Sequence, residues 1–356
     1  MTKYKVNGSN VFLANDLDLK MEDRLPVDTY QVSFHPDMGF YLTVAQPFTM
    51  PSKLYGDTEK MADRILNTYE DRPGTTGVLL SGVKGSGKSL LMKRAAQKAL
   101  LKNIPVIIVN AAYSGTSFNS FIQSIEQETV IIFDEFEKVY NEQEKQEQLL
   151  TLFDGVYSSK KLFILTANDA YKINSYMNNR PGRIYYAIEY RGLTPEFIRE
   201  YCDDILTDKG YTNQIVLFAS LFQDFNFDML KALCEELNRY GEPLKEALHV
   251  LNIKHERSYI YYDVTVIVDG EKVSKDYVGT TSVNNPFGQS SFVVGYNDPN
   301  KHEDDEDAWI EHVCEPYDDK TIKSGDLTRI EFNPTKSIKI VLDRQKNEAP
   351  LYHKLM

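Results

Sequence analysis

The sequence predicts an α/β protein: a parallel sheet covered by helices, then a small helical bundle, with β-rich segments at both ends. Three observations predict it. Apolar runs such as Val106-Ile107-Ile108-Val109, Val130-Ile131-Ile132-Phe133 and Leu162-Phe163-Ile164-Leu165 alternate with segments of helical periodicity, the pattern of strands buried on both faces of a parallel sheet. From Leu193 onward the chain reads as helices only, as far as about residue 256. Before residue 50 and beyond 257 it is rich in aromatic and β-branched residues, which favour strands.

Taken in order, residues 1–52 read as an N-terminal β-rich module. Thr29–Phe34 and Gly39–Val44 flank His35-Pro36-Asp37-Met38, which has the chemistry of a hairpin turn. An α/β core spans 53–192. It opens with a helix over 58–70, ended by Asp71-Arg72-Pro73-Gly74. The strand at 77–80 follows, then a helix to about Lys102 and a strand at 105–110. A helix over 117–128, the strand at 129–133, a helix over 142–153, the strand at 161–166 and a last one at 184–188 complete the core. A helical lid fills 193–256, its first helix capped by Thr194 with Pro195 at the first position. Further helices are expected at 213–222, 227–239 and 243–254. A C-terminal β-rich domain, 257–356, holds a hairpin at 259–278 turning on Asp269-Gly270 and strands at 291–296 and 337–342. The acidic run 302–307 reads as a solvated loop.

Composition narrows the function. A formal charge of −12 and a pI of about 5.1 disfavour a broad electrostatic grip on nucleic acid. Cys202, Cys234 and Cys314 are far apart and make no metal or disulfide framework, as expected of a reducing, cytoplasmic interior. The N-terminus lacks the apolar core of a signal peptide, and no apolar stretch is long enough to span a membrane.

The chemistry is concentrated at Gly82-Val83-Lys84-Gly85-Ser86-Gly87-Lys88-Ser89, between a strand and a helix. This is the G-x-x-x-x-G-K-[ST] phosphate loop in its required context. Gly82, Gly85 and Gly87 let the backbone fold into a nest of inward N–H groups. That nest, with Ser86 and the helix start at Leu90, is suited to phosphate oxygens. Lys88 would neutralise the β and γ phosphates of ATP, and Ser89 would ligate Mg²⁺. The strand at 129–133 then delivers Asp134 to its carboxyl end as a second Mg²⁺ ligand. Glu135 beside it would orient or deprotonate the attacking water. Glu137 is expected at the surface.

The order of these features resembles the AAA+ ATPases, over about residues 55–255. It runs from the loop through Asp134-Glu135, then Phe163-Ile164-Leu165-Thr166-Ala167-Asn168, then Asn179-Arg180-Pro181-Gly182-Arg183, then a bundle. The Arg-Pro-Gly-Arg run resembles the AAA clade proper, and the whole suggests a bacteriophage member acting in the host cytoplasm. The resemblance implies an α/β P-loop NTPase core in which Asn168 senses the γ-phosphate. It makes Arg180 and Arg183 arginine fingers that reach a neighbouring subunit's ATP, and it places Gly56 by the adenine. Guanidinium suits such a role because it matches the charge spreading over a transferring phosphoryl group.

Three features depart from the family pattern. Val83-Lys84 replaces the usual prolines. The stretch from Asn110 to Val130 is short, as in the mitochondrial AAA translocase of a folded iron–sulfur protein, leaving only Tyr113-Ser114-Gly115 or Phe118 as a pore loop. Lys231 is the one candidate for a second sensor. The expectation is a ring of identical copies, a hexamer or similar, that hydrolyses ATP to remodel or translocate a protein or nucleic-acid partner. The alternatives are a nucleic-acid-directed helicase loader or replication factor, or an ATP-gated assembly scaffold.

Overall fold

Apolar residues at alternate positions of four neighbouring core strands point to opposite sides of one sheet, and that sheet organises the first part of the chain. The computed structural model describes residues 2–7, 10–15, 22–155, 160–177, 180–222, 224–253, 261–288, 291–299, 301, 305, 308–316, 318, 320–324 and 327–345. The chain divides into two compact units, Met1–Arg191 and Gly192–Met356.

The first unit begins with a small hairpin, β1 (Thr2–Asn7) and β2 (Asn10–Asn15). The main sheet contains β3 (Thr29–His35), β4 (Gly39–Val44), β5 (Thr76–Gly82), β6 (Val106–Val109), β7 (Thr129–Phe133), β8 (Lys161–Ala167) and β9 (Tyr186–Tyr190). Their order is β4-β3-β6-β7-β8-β5-β9, with every pairing parallel except β3 with β4. The helices are α1 (Thr58–Asp71), α2 (Lys88–Leu101), α3 (Thr116–Gln123), α4 (Phe136–Val139), α5 (Gln143–Gln148) and α6 (Leu150–Phe153).

Strand alternation sends Val78, Leu80, Val130, Ile132, Leu162 and Ile164 to one face, against α1 and α2. Ala62, Ile65, Leu66 and Tyr69 form the buried stripe of α1, the spacing of one helix face. Leu79, Ile107, Val109, Ile131, Phe133, Phe163 and Leu165 take the other face, with residues of α3, α4 and α6.

The hairpin at 29–44, expected within a separate N-terminal module, is hydrogen-bonded into this sheet. Thr29 pairs with Val106 and Gln31 with Ile108. The reason is apolar: Tyr30 and Val32 belong to the same buried cluster as Ile107 and Phe133. Elsewhere the boundaries shift. The helix expected over 117–128 ends at Gln123, and that over 142–153 breaks at Leu149 into α5 and α6. The last strand runs from 186 to 190 rather than 184 to 188.

Among the described residues of the second unit, helices come first: α7 (Pro195–Ile205), α8 (Thr212–Ala219), α9 (Phe227–Tyr240) and α10 (Leu244–Val250). Thr194 caps α7 by accepting from Phe197 N–H, and Asn226 caps α9 by accepting from Met229 N–H. The described strands that follow are β10 (Tyr261–Val268), β11 (Glu271–Lys272), β12 (Ser282–Asn284), β13 (Phe292–Asn297), β14 (Trp309–Cys314), β15 (Ile322–Lys323), β16 (Arg329–Phe332) and β17 (Ile338–Arg344). They form an antiparallel sheet, β11-β10-β17-β16-β15 with β12 on β10, and the pair β13-β14.

The Asp269-Gly270 turn has both residues at positive φ, as a two-residue hairpin turn requires. Its returning strand is only two residues long, because Lys275–Tyr277 form a 3-10 turn. β12, β14, β15 and β16 were not read from the sequence. Residues 259 and 260 and most of the acidic run 302–307 lie outside the described residues. Arg344 donates to the carbonyls of Ser220 and Phe222 and so ties β17 to the end of α8. No helix among the described residues is long and apolar enough to cross a membrane.

Candidate functional site

Because β7, β8 and β5 are neighbours and parallel, the loops leaving their carboxyl ends meet at one edge. This is where open α/β sheets bind ligands. The three loops carry Asp134-Glu135, Asn168 and Gly82–Ser89, so the fold gathers residues from three separated stretches.

The phosphate loop has the expected backbone. Gly82, Gly85 and Gly87 stand at φ +136°, +76° and +101°. A Cβ on Gly82 would lie 2.1 Å from the carbonyl oxygen of Tyr190, so glycine is required there by space as well as by φ. Lys88 and Ser89 open α2, and Leu90 N–H donates to Gly87 O. The Ser86 hydroxyl is buried and has no hydrogen-bond partner among the described residues.

Lys88 is also buried. Its Nζ donates to the loop's own carbonyls, Gly82 O at 2.6 Å and Val83 O at 2.8 Å, and to Asn168 Oδ1 at 3.2 Å. Burial lowers its pKa, while the carboxylates of Glu137, Asp134 and Glu135 pull the other way. A cation held by neutral oxygens, beside a ring of backbone N–H groups and an orphaned hydroxyl, is a site matched to a polyphosphate. The residues present therefore fit a nucleoside triphosphate.

The acidic side is equally ordered. Ser89 Oγ and Asp134 Oδ1 are 3.5 Å apart, the two oxygens that would share a divalent cation. Thr166 donates to Asp134 Oδ1 and accepts from Glu135 N–H at 2.8 Å. Its hydroxyl thus fixes both acids at once. Glu135 sits at φ +49°, ψ +47°, a left-handed conformation that costs of order 1–3 kcal/mol for a residue with a Cβ. The hydrogen bond from its N–H to Thr166 holds it there. Its carboxylate is bonded to Lys138, which keeps its pKa below the ordinary value. Both partners are about half exposed, at 47% and 53%, so this contact is weak and exchangeable.

Glu137 corrects the sequence reading. It is buried, at 6% exposure, and not at the surface. Its Oε1 accepts from Asn168 N–H and from Asn168 Nδ2, both at 3.0 Å. Its Oε2 is buried without a partner among the described residues.

The remaining expectations fall elsewhere. Arg183 is nearly buried and makes a two-pronged pair with Asp154, Nη2 to Oδ2 being 2.7 Å, while Nη1 donates to Tyr176 O at 2.8 Å. Arg180 is exposed, and Asn179 lies outside the described residues. Gly56 lines a cleft of about 840 Å³ along α1 with Glu59, Asp63, Arg64 and Tyr186, apart from the phosphate loop. Phe118 is fully buried and Tyr113 packs against it and Phe40, so both serve the core of the unit. Lys231 is exposed and ion-paired with Glu235 at 3.7 Å.

The residues missed from the sequence are Thr166, Glu137, Lys138 and Asp154. Thr166 and Glu137 had one available signal, their places two positions before Asn168 and two after Glu135.

A search of curated proteins finds no match to the chain. A family model does match, over residues 78–191, described as the ATPase family associated with various cellular activities (AAA). That segment contains the phosphate loop, the Asp134-Glu135 pair, Asn168 and both arginines. Residues 78–191 are accordingly an AAA+ ATPase domain.

Proposed function

We propose that this protein binds Mg-ATP at the Gly82–Ser89 loop and hydrolyses it, working as a ring of copies that remodels or moves a macromolecular partner. The observation that carries this reading is the meeting of Lys88, Ser89, Asp134, Glu135 and Asn168 at the ends of β5, β7 and β8. Lys88 would exchange the loop carbonyls for the β and γ phosphates. Ser89 and Asp134 would hold Mg²⁺, which polarises the terminal phosphoryl group. Glu135, released from Lys138, would orient the attacking water, and Asn168 would face the γ-phosphate.

The arginines divide their roles in this reading. Arg183 has its guanidinium occupied by Asp154 and the Tyr176 carbonyl, and it secures the turn that presents Arg180. Arg180, exposed, is the guanidinium that would reach the ATP of a neighbouring copy. A finger supplied in trans is worth roughly 10³–10⁵ in turnover where it has been measured in GTPases.

The test is ATP turnover with sedimentation in ATP and ADP. Wild type should hydrolyse ATP and assemble in its presence. Glu135→Gln should bind ATP and assemble without turnover. Arg180→Ala should bind ATP normally and lose turnover, and mixing it with Glu135→Gln should restore part of the rate. No turnover in assembled wild type would sink the reading, and full activity in Arg180→Ala would remove that finger.

A further inference from the structure

We propose that Glu137 is a positioning residue for hydrolysis: it pins Asn168 so that the amide oxygen faces Lys88 and the loop in which the terminal phosphate would lie. The inference rests on the Mg-ATP reading above and extends it to a residue outside the loop and the acidic pair.

Three observations carry it. One carboxylate oxygen of Glu137 receives both the backbone N–H and the side-chain Nδ2 of Asn168 at 3.0 Å. An asparagine side chain is ambiguous by a half-turn, since its oxygen and nitrogen exchange places at almost no steric cost. Two donors of one residue converging on one acceptor remove that ambiguity, because the flipped amide would set oxygen against carboxylate. With Nδ2 turned to Glu137, and also toward the Glu135 carboxylate, Oδ1 faces Lys88 Nζ, 3.2 Å away.

The second observation is burial. Glu137 is 6% exposed and its Oε2 has no partner among the described residues. An orphaned buried carboxylate oxygen is costly, and a side chain serving only to cap a helix would not need one. The negative charge is matched across the site by Lys88, on which Glu137 exerts the largest carboxylate influence. The third observation is rigidity. Glu137 sits on α4, whose first residue Phe136 is fully buried and stacked on Tyr140. The carboxylate is therefore carried on a fixed element, next to Glu135 on the same turn. Glu137 thus acts through Asn168, whose N–H and Nδ2 its Oε1 accepts.

Asn168 would then report on the γ-phosphate through Lys88. When Lys88 leaves the Gly82 and Val83 carbonyls for a phosphate, Oδ1 follows its charge while Glu137 holds the other end of the amide. Losing Glu137 should thus damage turnover and the distinction between ATP and ADP more than it damages nucleotide affinity.

The experiment combines turnover with fluorescent ATP and ADP binding in wild type, Glu137→Ala, Glu137→Gln, Asn168→Ala and Glu137→Ala/Asn168→Ala. Glu137→Gln keeps an acceptor oxygen and should retain kcat within about threefold, whereas removing the acceptor in Glu137→Ala should lower kcat about tenfold or more, the loss of a hydrogen bond to a charged group. ADP affinity should stay within about threefold in both variants, because the loop N–H groups that hold the phosphates are untouched. The double variant should be no slower than Asn168→Ala, since residues acting as one unit are not additive.

Wild-type kcat in Glu137→Ala, an equally slow Glu137→Gln, or a further tenfold loss in the double variant would each overturn the proposal. If Glu137→Ala does not fold, Glu137→Asp replaces it, one methylene too short to meet both donors, with the same loss expected. Should wild type bind ATP without turnover, the hydrolytic reading falls and the positioning proposal is judged on binding alone. A lost ATP-over-ADP preference in Glu137→Ala upholds it, and a preserved preference overturns it.

Discussion

Replacing Asp154 tests the claim that Arg183 is a structural rather than a catalytic arginine. The guanidinium is 11% exposed and Asp154 42%. Two parallel hydrogen bonds join them and a third ties Arg183 to Tyr176 O. Breaking a fully buried pair from one side costs about 3–5 kcal/mol, and an exposed pair is worth about 0–1 kcal/mol. With one partner sheltered and the other half in water, Asp154→Ala should cost about 2 kcal/mol, and Asp154→Asn, which keeps one acceptor, about 1 kcal/mol.

Urea unfolding followed by far-ultraviolet circular dichroism measures the loss. The single tryptophan, Trp309, lies in the second unit, so its fluorescence is an internal control that should not move. Arg183 also holds the Asp154 carboxyl below its usual pKa. The stabilisation is therefore complete above the ordinary aspartate range near pH 4 and lost as pH falls through the lowered native value. The gap between wild type and Asp154→Ala should close in acid. A loss under about 0.3 kcal/mol at pH 7, or a gap that does not change with pH, would refute the argument.

Three further outcomes follow from the same geometry. Gly82→Ala places a Cβ 2.1 Å from Tyr190 O at φ +136°, and nucleotide binding should weaken at least about tenfold, whereas Gly39→Ala, at φ +73° with open space around it, should cost about 1 kcal/mol and leave binding alone. Isothermal titration separates the two. Lys161 is fully buried, donates to Ile125 O and Gln127 O, and burial brings its pKa down to about 8. Its depressed pKa means that stability relative to Lys161→Met should rise between pH 8 and 10.5, by about 2 kcal/mol after allowing for solvent screening; a flat difference would contradict this. Phe163, buried between Phe133 and Phe153 with a ring-to-ring distance of 4.9 Å to the latter, should cost about 3–5 kcal/mol on truncation to Ala in the same urea assay.

Much of the site was legible because its parts are local. The loop Gly82–Ser89 is contiguous, its backbone conformation is imposed by its glycines, and strand and helix patterns flank it. Asp134 and Glu135 could be found from an apolar strand running directly into two acids. Glu137 was misread for a reason that is also local. A charged residue after a strand end is ordinarily solvated, but the left-handed turn at Glu135 redirects the chain, sends Phe136 into the core and brings Glu137 in beside Asn168. Thr166 looked like any β-branched strand residue. The hairpin at 29–44 was recognised as a hairpin, but its parallel pairing with β6 joins segments far apart in sequence, and hydrophobic pattern alone does not say which strand is whose neighbour.

By itself, then, the sequence determined which chemical groups this protein has: a phosphate-cradling backbone, a lysine and a serine at a helix start, two acids at a strand end, an asparagine and two arginines. It determined them because each is set by short-range conformation and periodicity. Only the tertiary structure decided which group faces which. It committed Arg183 to Asp154 and left Arg180 exposed, and it set Glu137 under Asn168 and Asn168 against Lys88. The physical reason is that a polar side chain taken out of water must find its partners within hydrogen-bond reach. Those partners are chosen by the order of β7, β8 and β5 in the sheet, which no single stretch of the chain contains.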